Sequence, residues 1–148
     1  MKQGTYRGWC KWCGGWVYGN LLCGYHGEKY IFVNDPDDDE SSGIHAVDPD
    51  SVGKYSGFDT PGEYLYDGDI CKDQNGYVGI VLYSKVSGMW TWIRQDGTEY
   101  RLADVFNNLD WYDTLHEGLK TNEAYASMLI MVLEDKGILE KNAEGRKE

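Results

Sequence analysis

Two dipeptides constrain this chain more than anything else in it: Asn75-Gly76 and Asp96-Gly97. The first reads as an Asn-Gly turn, the second as a two-residue hairpin turn of the type that matches strand twist. Each lies between stretches that alternate. In "YVGIVLY" Val78, Ile80 and Leu82 share one face. In "GMWTWIR" Trp90 and Trp92 share one face, and Met89, Thr91 and Ile93 the other. "DGDICK" precedes them and "TEYRLADV" follows. Four short strands between about 68 and 103 predict a small antiparallel β-barrel of SH3-like size. Upstream, "TYRGW", "GWVYGNLL" and "KYIFV" read as an N-terminal β-meander with turns containing glycine. Between 44 and 70 turn chemistry dominates, with Asp-Pro, Ser-Gly, Pro-Gly and Asp-Gly pairs.

The end of the chain is different. "TNEAYASMLIMVLEDKGIL" predicts an α-helix over about 121–136, with Thr121 as N-cap and Gly137 just past its end. Tyr125, Met128, Leu129 and Val132 fall at i, i+3, i+4 and i+7 and are expected to pack on the β domain. Ile130, Met131 and Leu133, with Ala124, then face elsewhere. A lone monomer would expose them, so they form a candidate oligomer interface, a symmetric dimer being the simplest closed assembly. The segment 104–120 reads as polar with short helical turns. The expected organisation is a mainly β domain over 1–103 and a helical extension over 104–148.

A chain of 148 residues is large enough for one core. Its net charge of −11 repels phosphates, which argues against direct nucleic-acid binding and suits basic protein partners. No apolar run is long enough for a membrane span, and "MKQGTYRGW" lacks the apolar core of a signal peptide, so a cytoplasmic protein is expected. In that compartment four cysteines are expected to be free or metal-bound rather than bridged. "NDPDDDESSG", 34–43, carries five acids in six residues and reads as a solvated loop. As a calcium loop starting at Asp38 it places Gly43 correctly but puts Pro49 where a bidentate Glu is needed, so that template fails. Asp37, Asp38, Asp39 and Glu40 remain candidate binding residues as an acidic surface.

The one metal-like spacing is Cys10-x2-Cys13 followed by Cys23-x2-His26. An extended strand from Trp16 to Leu22 holds the two pairs about 20 Å apart. Zinc ligands must converge within about 4 Å. No metal and no cofactor are therefore expected, with a small zinc protein using Cys10, Cys13, Cys23 and His26 as an alternative. Cys71 reads as a core residue. There is no HExxH, P-loop, GxGxxG or GxSxG pattern, and no catalytic residue is assigned. His116-Glu117 reads as a solvated helix face, and His45 as an exposed neighbour of the acidic loop. Trp90 and Trp92 are candidates for stacking a base or nucleotide; a core or subunit-contact role is the commoner fate of such a pair.

Two segments, "YRGWCKWCGGWVYGNLL…GEKYIFV" (6–33) and "VDPDSVGKYSGFDTPGEYLYDGDIC" (47–71), together resemble the YopX family of phage and prophage proteins. The first carries an aromatic-Arg-Gly opening and a Trp-Val-Tyr-Gly strand. The second matches at Val52, Tyr55, Gly57, Gly62, Tyr66, Gly68, Asp69 and Ile70. The resemblance covers roughly 5–103, and the family's usual ending is missing beyond about 104. It implies a largely β protein without an established enzymatic activity, whose marker residues shape turns. The expected function is a non-enzymatic phage accessory protein, a β-rich module that binds a host or phage protein, with inhibition of a bacterial defence system as one version. A small-ligand or nucleotide sponge is the alternative from another class.

Overall fold

A computed structural model describes residues 4–34 and 42–139. Eleven strands are described: β1 (Tyr6–Cys10), β2 (Gly15–Cys23), β3 (Lys29–Val33), β4 (Gly43–Val47), β5 (Gly53–Thr60), β6 (Glu63–Tyr66), β7 (Asp69–Lys72), β8 (Val78–Ser84), β9 (Met89–Arg94), β10 (Glu99–Arg101) and β11 (Asp110–Thr114). Three helices, α1 (Leu102–Val105), α2 (Leu115–Lys120) and α3 (Ala124–Asp135), follow β10 and β11. The strands form two antiparallel sheets. The first has the order β4-β3-β2-β1-β5-β6 and the second β10-β9-β8-β7-β11. The fold is thus mainly β with a C-terminal helix, as the turn spacing predicts.

The first sheet is the expected meander extended by β4, β5 and β6. It curls, because the end of β4 returns to β1: the Asp48 amide donates to the Trp9 carbonyl at 2.9 Å. Val47 lies so close over Gly8 that a Cβ there would clash with its isopropyl group. The core of this sheet is small, with Cys10, Ile31 and Val47 buried.

The expected barrel strands make the second sheet, which is covered on both faces. Ile70, Val78, Ile80 and Ile93 pack against Leu129 and Leu133 of α3. Cys71, Val81 and Trp92 point the other way, against Leu65, Leu102 and Leu109. The period-two reading of β8 and β9 holds, with Ile80 opposite Ile93 and Val81 opposite Trp92. Gly79 lies beneath the Trp92 indole, where any Cβ would meet the ring.

Several expectations need correction. The segment 104–120 is not an extension. Its strand β11 pairs with β7, so the second sheet runs past the expected boundary at 103. Alternation in "DWYDT" is masked because its side chains are mostly exposed and its register shifts between Trp111 and Asp113. Helix α2 starts at an N-cap instead: the Thr114 hydroxyl accepts from the Glu117 amide at 3.1 Å. Helix α3 starts three residues later than expected, after Glu123, because Asn122 takes a positive φ of 56°. Its inner face is Ala126, Leu129 and Leu133. Leu133, expected to face outward, is buried, and Met128, expected to face inward, is exposed. Both shifts are one rotation of the helix, which places the Ala126-Leu129-Leu133 stripe on β8. Met131 is 61% exposed and Ile130 half-buried. The acidic residues Asp37, Asp38, Asp39 and Glu40 lie outside the described residues.

Candidate functional site

The two segments that carry the family resemblance meet in space. Arg7, the second residue of β1, donates from Nη1 to Asp69 Oδ1 at 2.6 Å. Arg7 is 5% exposed and Asp69 not at all. The route that brings them together starts where β1 pairs with β5, Arg7 opposite Gly53. Gly53 lies against the Asp67 carbonyl, an approach that only a residue without Cβ permits. The chain then turns through Gly68, at a φ of 93°, into β7. Arg7 Nη2 also reaches the Asp67 carbonyl, at 3.4 Å.

Asp69 is fully provided with donors. Besides Arg7 it accepts from the Tyr66 amide at 2.6 Å and from the Trp111 indole N–H at 3.0 Å. Complete burial pushes its carboxyl up, and the Arg7 guanidinium and the two N–H donors pull it back. Arg7 lies over the Trp16 ring at 4.6 Å and over the Tyr66 ring at 5.1 Å. This arrangement links β1 of the first sheet to β7 and β11 of the second. Removing one member of such a buried pair costs about 3–5 kcal/mol, because the other is left charged and unpaired.

Beside this joint a cleft of about 500 Å³ opens between the sheets and α2. Arg7 and Trp16 line it from the first sheet, Asp67 from the turn before β7, Asp48 and Asp50 from the turn after β4, and His116 and Lys120 from α2. His116 is not on a solvated face. Its ring packs near those of Trp9 and Trp16, at 6.1 and 5.7 Å between centroids. Desolvation lowers its pKa, against the pull of Asp48, whose Oδ2 lies 3.8 Å from Nε2. Burial raises Asp67 to a pKa of about 6, with Arg7 opposing and Asp69 adding to the rise. Lys120 caps the Trp9 ring at 4.6 Å. The hydroxyls in the cleft are engaged: Ser51 Oγ accepts from the Trp9 amide and donates to the Asp48 carbonyl, and Thr114 caps α2.

Charge in the cleft is acidic once the internal pair is set aside. Arg7 is matched by Asp69, leaving Asp48, Asp50 and Asp67 against Lys120. Such a lining favours a cationic group.

The other expected sites fall elsewhere. Trp92 is 1% exposed and belongs to the core, so it cannot stack a ligand; Trp90 packs half-buried on the same cluster. Cys23 and His26 lie at the far end of β2 from Cys10 and Cys13, as the strand length requires. Cys10 and Cys13 are bridged, contrary to the expectation of free or metal-bound thiols. The two-residue turn between them brings their Cα atoms to 5.2 Å, within bridging range. Cys71 is a buried core thiol, as expected. No helix among the described residues is long and apolar enough to cross a membrane.

Sequence reasoning singled out Asp69 only as a turn residue and left Arg7 inside a motif. The signal was present: Asp69 and Cys71 share one face of a strand whose next apolar residues are core. A charge at an inward position needs a buried partner. Comparison with curated proteins returns no match. The model of the family described as YopX protein matches residues 5–117, through β11 and into α2. With most of its length covered, including both halves of the Arg7–Asp69 joint, the chain belongs to the YopX family.

Proposed function

We propose that the protein is a non-enzymatic phage accessory module that binds another protein, of host or phage origin, by taking a basic segment into the cleft between its sheets. The observation that carries this is the cleft lining: three carboxylates, Asp48, Asp50 and Asp67, above an apolar wall that includes Trp16, Leu115 and Leu119, with Lys120 as the one cation left uncompensated by the internal pair. An Arg or Lys side chain meets there an opposite charge for its head and apolar side chains such as Leu115 and Leu119 for its stem. The net charge of −11 adds long-range attraction to a basic partner. The hydroxyls of the cleft serve the backbone and His116 packs against both indoles, which favours recognition over covalent chemistry. The acidic lining and the burial of Trp92 both count against a nucleotide sponge. Occupying the nucleic-acid groove of a host defence protein is one use of such a surface.

The test is affinity capture from bacterial cells with the full chain, analysed for proteins and small molecules. The expected product is a protein with an Arg- or Lys-rich segment, lost with Asp50→Lys and kept with Glu99→Lys on β10. A nucleotide carried through purification, with capture indifferent to Asp50→Lys, would refute the reading.

A further inference from the structure

We propose that Cys10, Cys13 and His45 form a thiol-gated binding site for a thiophilic divalent cation of the zinc class. The spacing that suggests zinc in the sequence fails because Cys23 and His26 are at the wrong end of β2. The curl of the first sheet supplies a different third ligand. Strand β4 returns over β1 and brings His45 Nδ1 to 3.4 Å from Cys13 Sγ. One ligand atom from each of the three residues lies within 4.8 Å of the others.

Tetrahedral zinc with Zn–S near 2.3 Å and Zn–N near 2.0–2.1 Å requires an S···N separation of about 3.6 Å and an S···S separation of about 3.8 Å. The Cys13–His45 distance already meets the first. The second needs only the bridge to open within its turn. That turn is built to hold a sulfur ligand. The Cys13 amide donates to Cys10 Sγ at 3.1 Å, and the Gly14 amide donates to the Cys10 carbonyl at 2.9 Å. Gly14 takes a φ of 70°, which closes the turn. Amide donors to sulfur stabilise a thiolate. Cys10 is buried in the small core of the sheet and anchors the turn, while Cys13 is exposed and accessible to a reductant.

The bridge seen here is the closed state. A dithiol reductant opens it: two electrons and two protons pass to the bridge, the S–S bond breaks, and the reductant leaves as its own disulfide. The cation then displaces the two thiol protons to solvent and takes both thiolates and the neutral imidazole. Two sulfurs and one imidazole select a soft or borderline ion over magnesium or calcium, and leave the fourth position to water or an outside ligand.

The experiment titrates the full chain with Zn2+ against a chromophoric chelator, reduced and oxidised, and repeats it with Co2+ to read thiolate charge-transfer bands. The reduced chain is expected to take about one ion per chain and the oxidised chain none. Cys13→Ser and His45→Ala are expected to weaken binding at least about a hundredfold. His45→Cys, which supplies a competent ligand, retains binding and strengthens the cobalt charge-transfer bands. It therefore decides the matter if His45→Ala does not fold. The Cys23→Ser and His26→Ala variants bind as the wild type does. No uptake by the reduced chain, equal uptake by the oxidised chain, or loss on removing Cys23 or His26 would overturn the proposal.

Discussion

The two sheets are buried to different depths. In the second sheet, β8 begins with four consecutive buried residues, Val78 to Val81, because α3 covers one face and the Leu65, Leu102 and Leu109 cluster covers the other. In the first sheet the nine residues of β2 include none that is fully buried. Its strands and turns leave Leu22, Phe32 and Ile44 exposed, and Trp12 is 94% exposed. The difference separates two tasks. The second sheet supplies most of the buried apolar area and hence the stability. The first presents aromatic and reactive side chains and meets its partner sheet through the Arg7–Asp69 pair and through Leu65 and Phe58, which pack on the second sheet's core.

Breaking that joint has the largest expected effect. Asp69→Asn removes the charge that matches Arg7 and is expected to cost about 3–5 kcal/mol in urea unfolding. A loss under about 1 kcal/mol would mean that the sheets are held together by something else. The contrast in burial is sharpened by a pair of truncations. Leu129→Ala, under the second sheet, is expected to cost about 2–5 kcal/mol. Phe32→Ala, on the open face of the first, should stay within about 1 kcal/mol. Comparable losses would erase the distinction.

Asp67 connects the contrast to pH. Its folded-state pKa of about 6 lies above the ordinary carboxylate value of 3.8, so the native state holds the proton more tightly than the unfolded chain. Its contribution is fully present below the unfolded value and is lost as pH rises through about 6. Above that, the half-buried charge opposes folding. Asp67→Asn should therefore melt higher than the wild type at pH 8, by the equivalent of about 1–3 kcal/mol, and the gap should close towards pH 4. A gap that does not vary with pH would remove Asp67 as a source of strain in the cleft.

The smallest effect is expected on the outer face of α3. With Leu133 committed to the core, the dimer first expected through Ile130, Met131 and Leu133 is left with Met128 and Met131 as its exposed apolar anchors. Met131→Glu should change stability by less than about 0.5 kcal/mol. In sedimentation equilibrium it should convert a dimer into a monomer. A wild-type chain that is already monomeric would remove the dimer.

What the sequence disclosed followed physical rules with short range. The places of the turns at Asn75-Gly76 and Asp96-Gly97 and the alternation of β8 and β9 were legible because one strand's period suffices; the turn type was not, since each loop holds three residues and among these pairs only Gly76 and Gly97 take positive φ. Strand β11 was not legible, since an exposed edge with a shifted register carries no period-two signal. The inner face of α3 was ambiguous because apolar residues surround the helix, and only the position of β8 selects Leu129 and Leu133. The strand length that parts Cys10 and Cys13 from Cys23 and His26 was foreseen. The arrival of His45 was not, because it depends on β4 curling back to β1. The joint was half legible: both of its segments stood out as family markers, but their meeting is a property of the fold.

The central claim is that those two segments act as one unit, with Arg7 and Asp69 joining the sheets over which the cleft forms. A double-mutant cycle of Arg7→Met and Asp69→Asn, followed by urea unfolding, measures it directly. Each single change is expected to cost about 3–5 kcal/mol. The double variant should cost less than the two single losses together by a coupling energy of about 2–3 kcal/mol. Single losses that simply add would contradict the account.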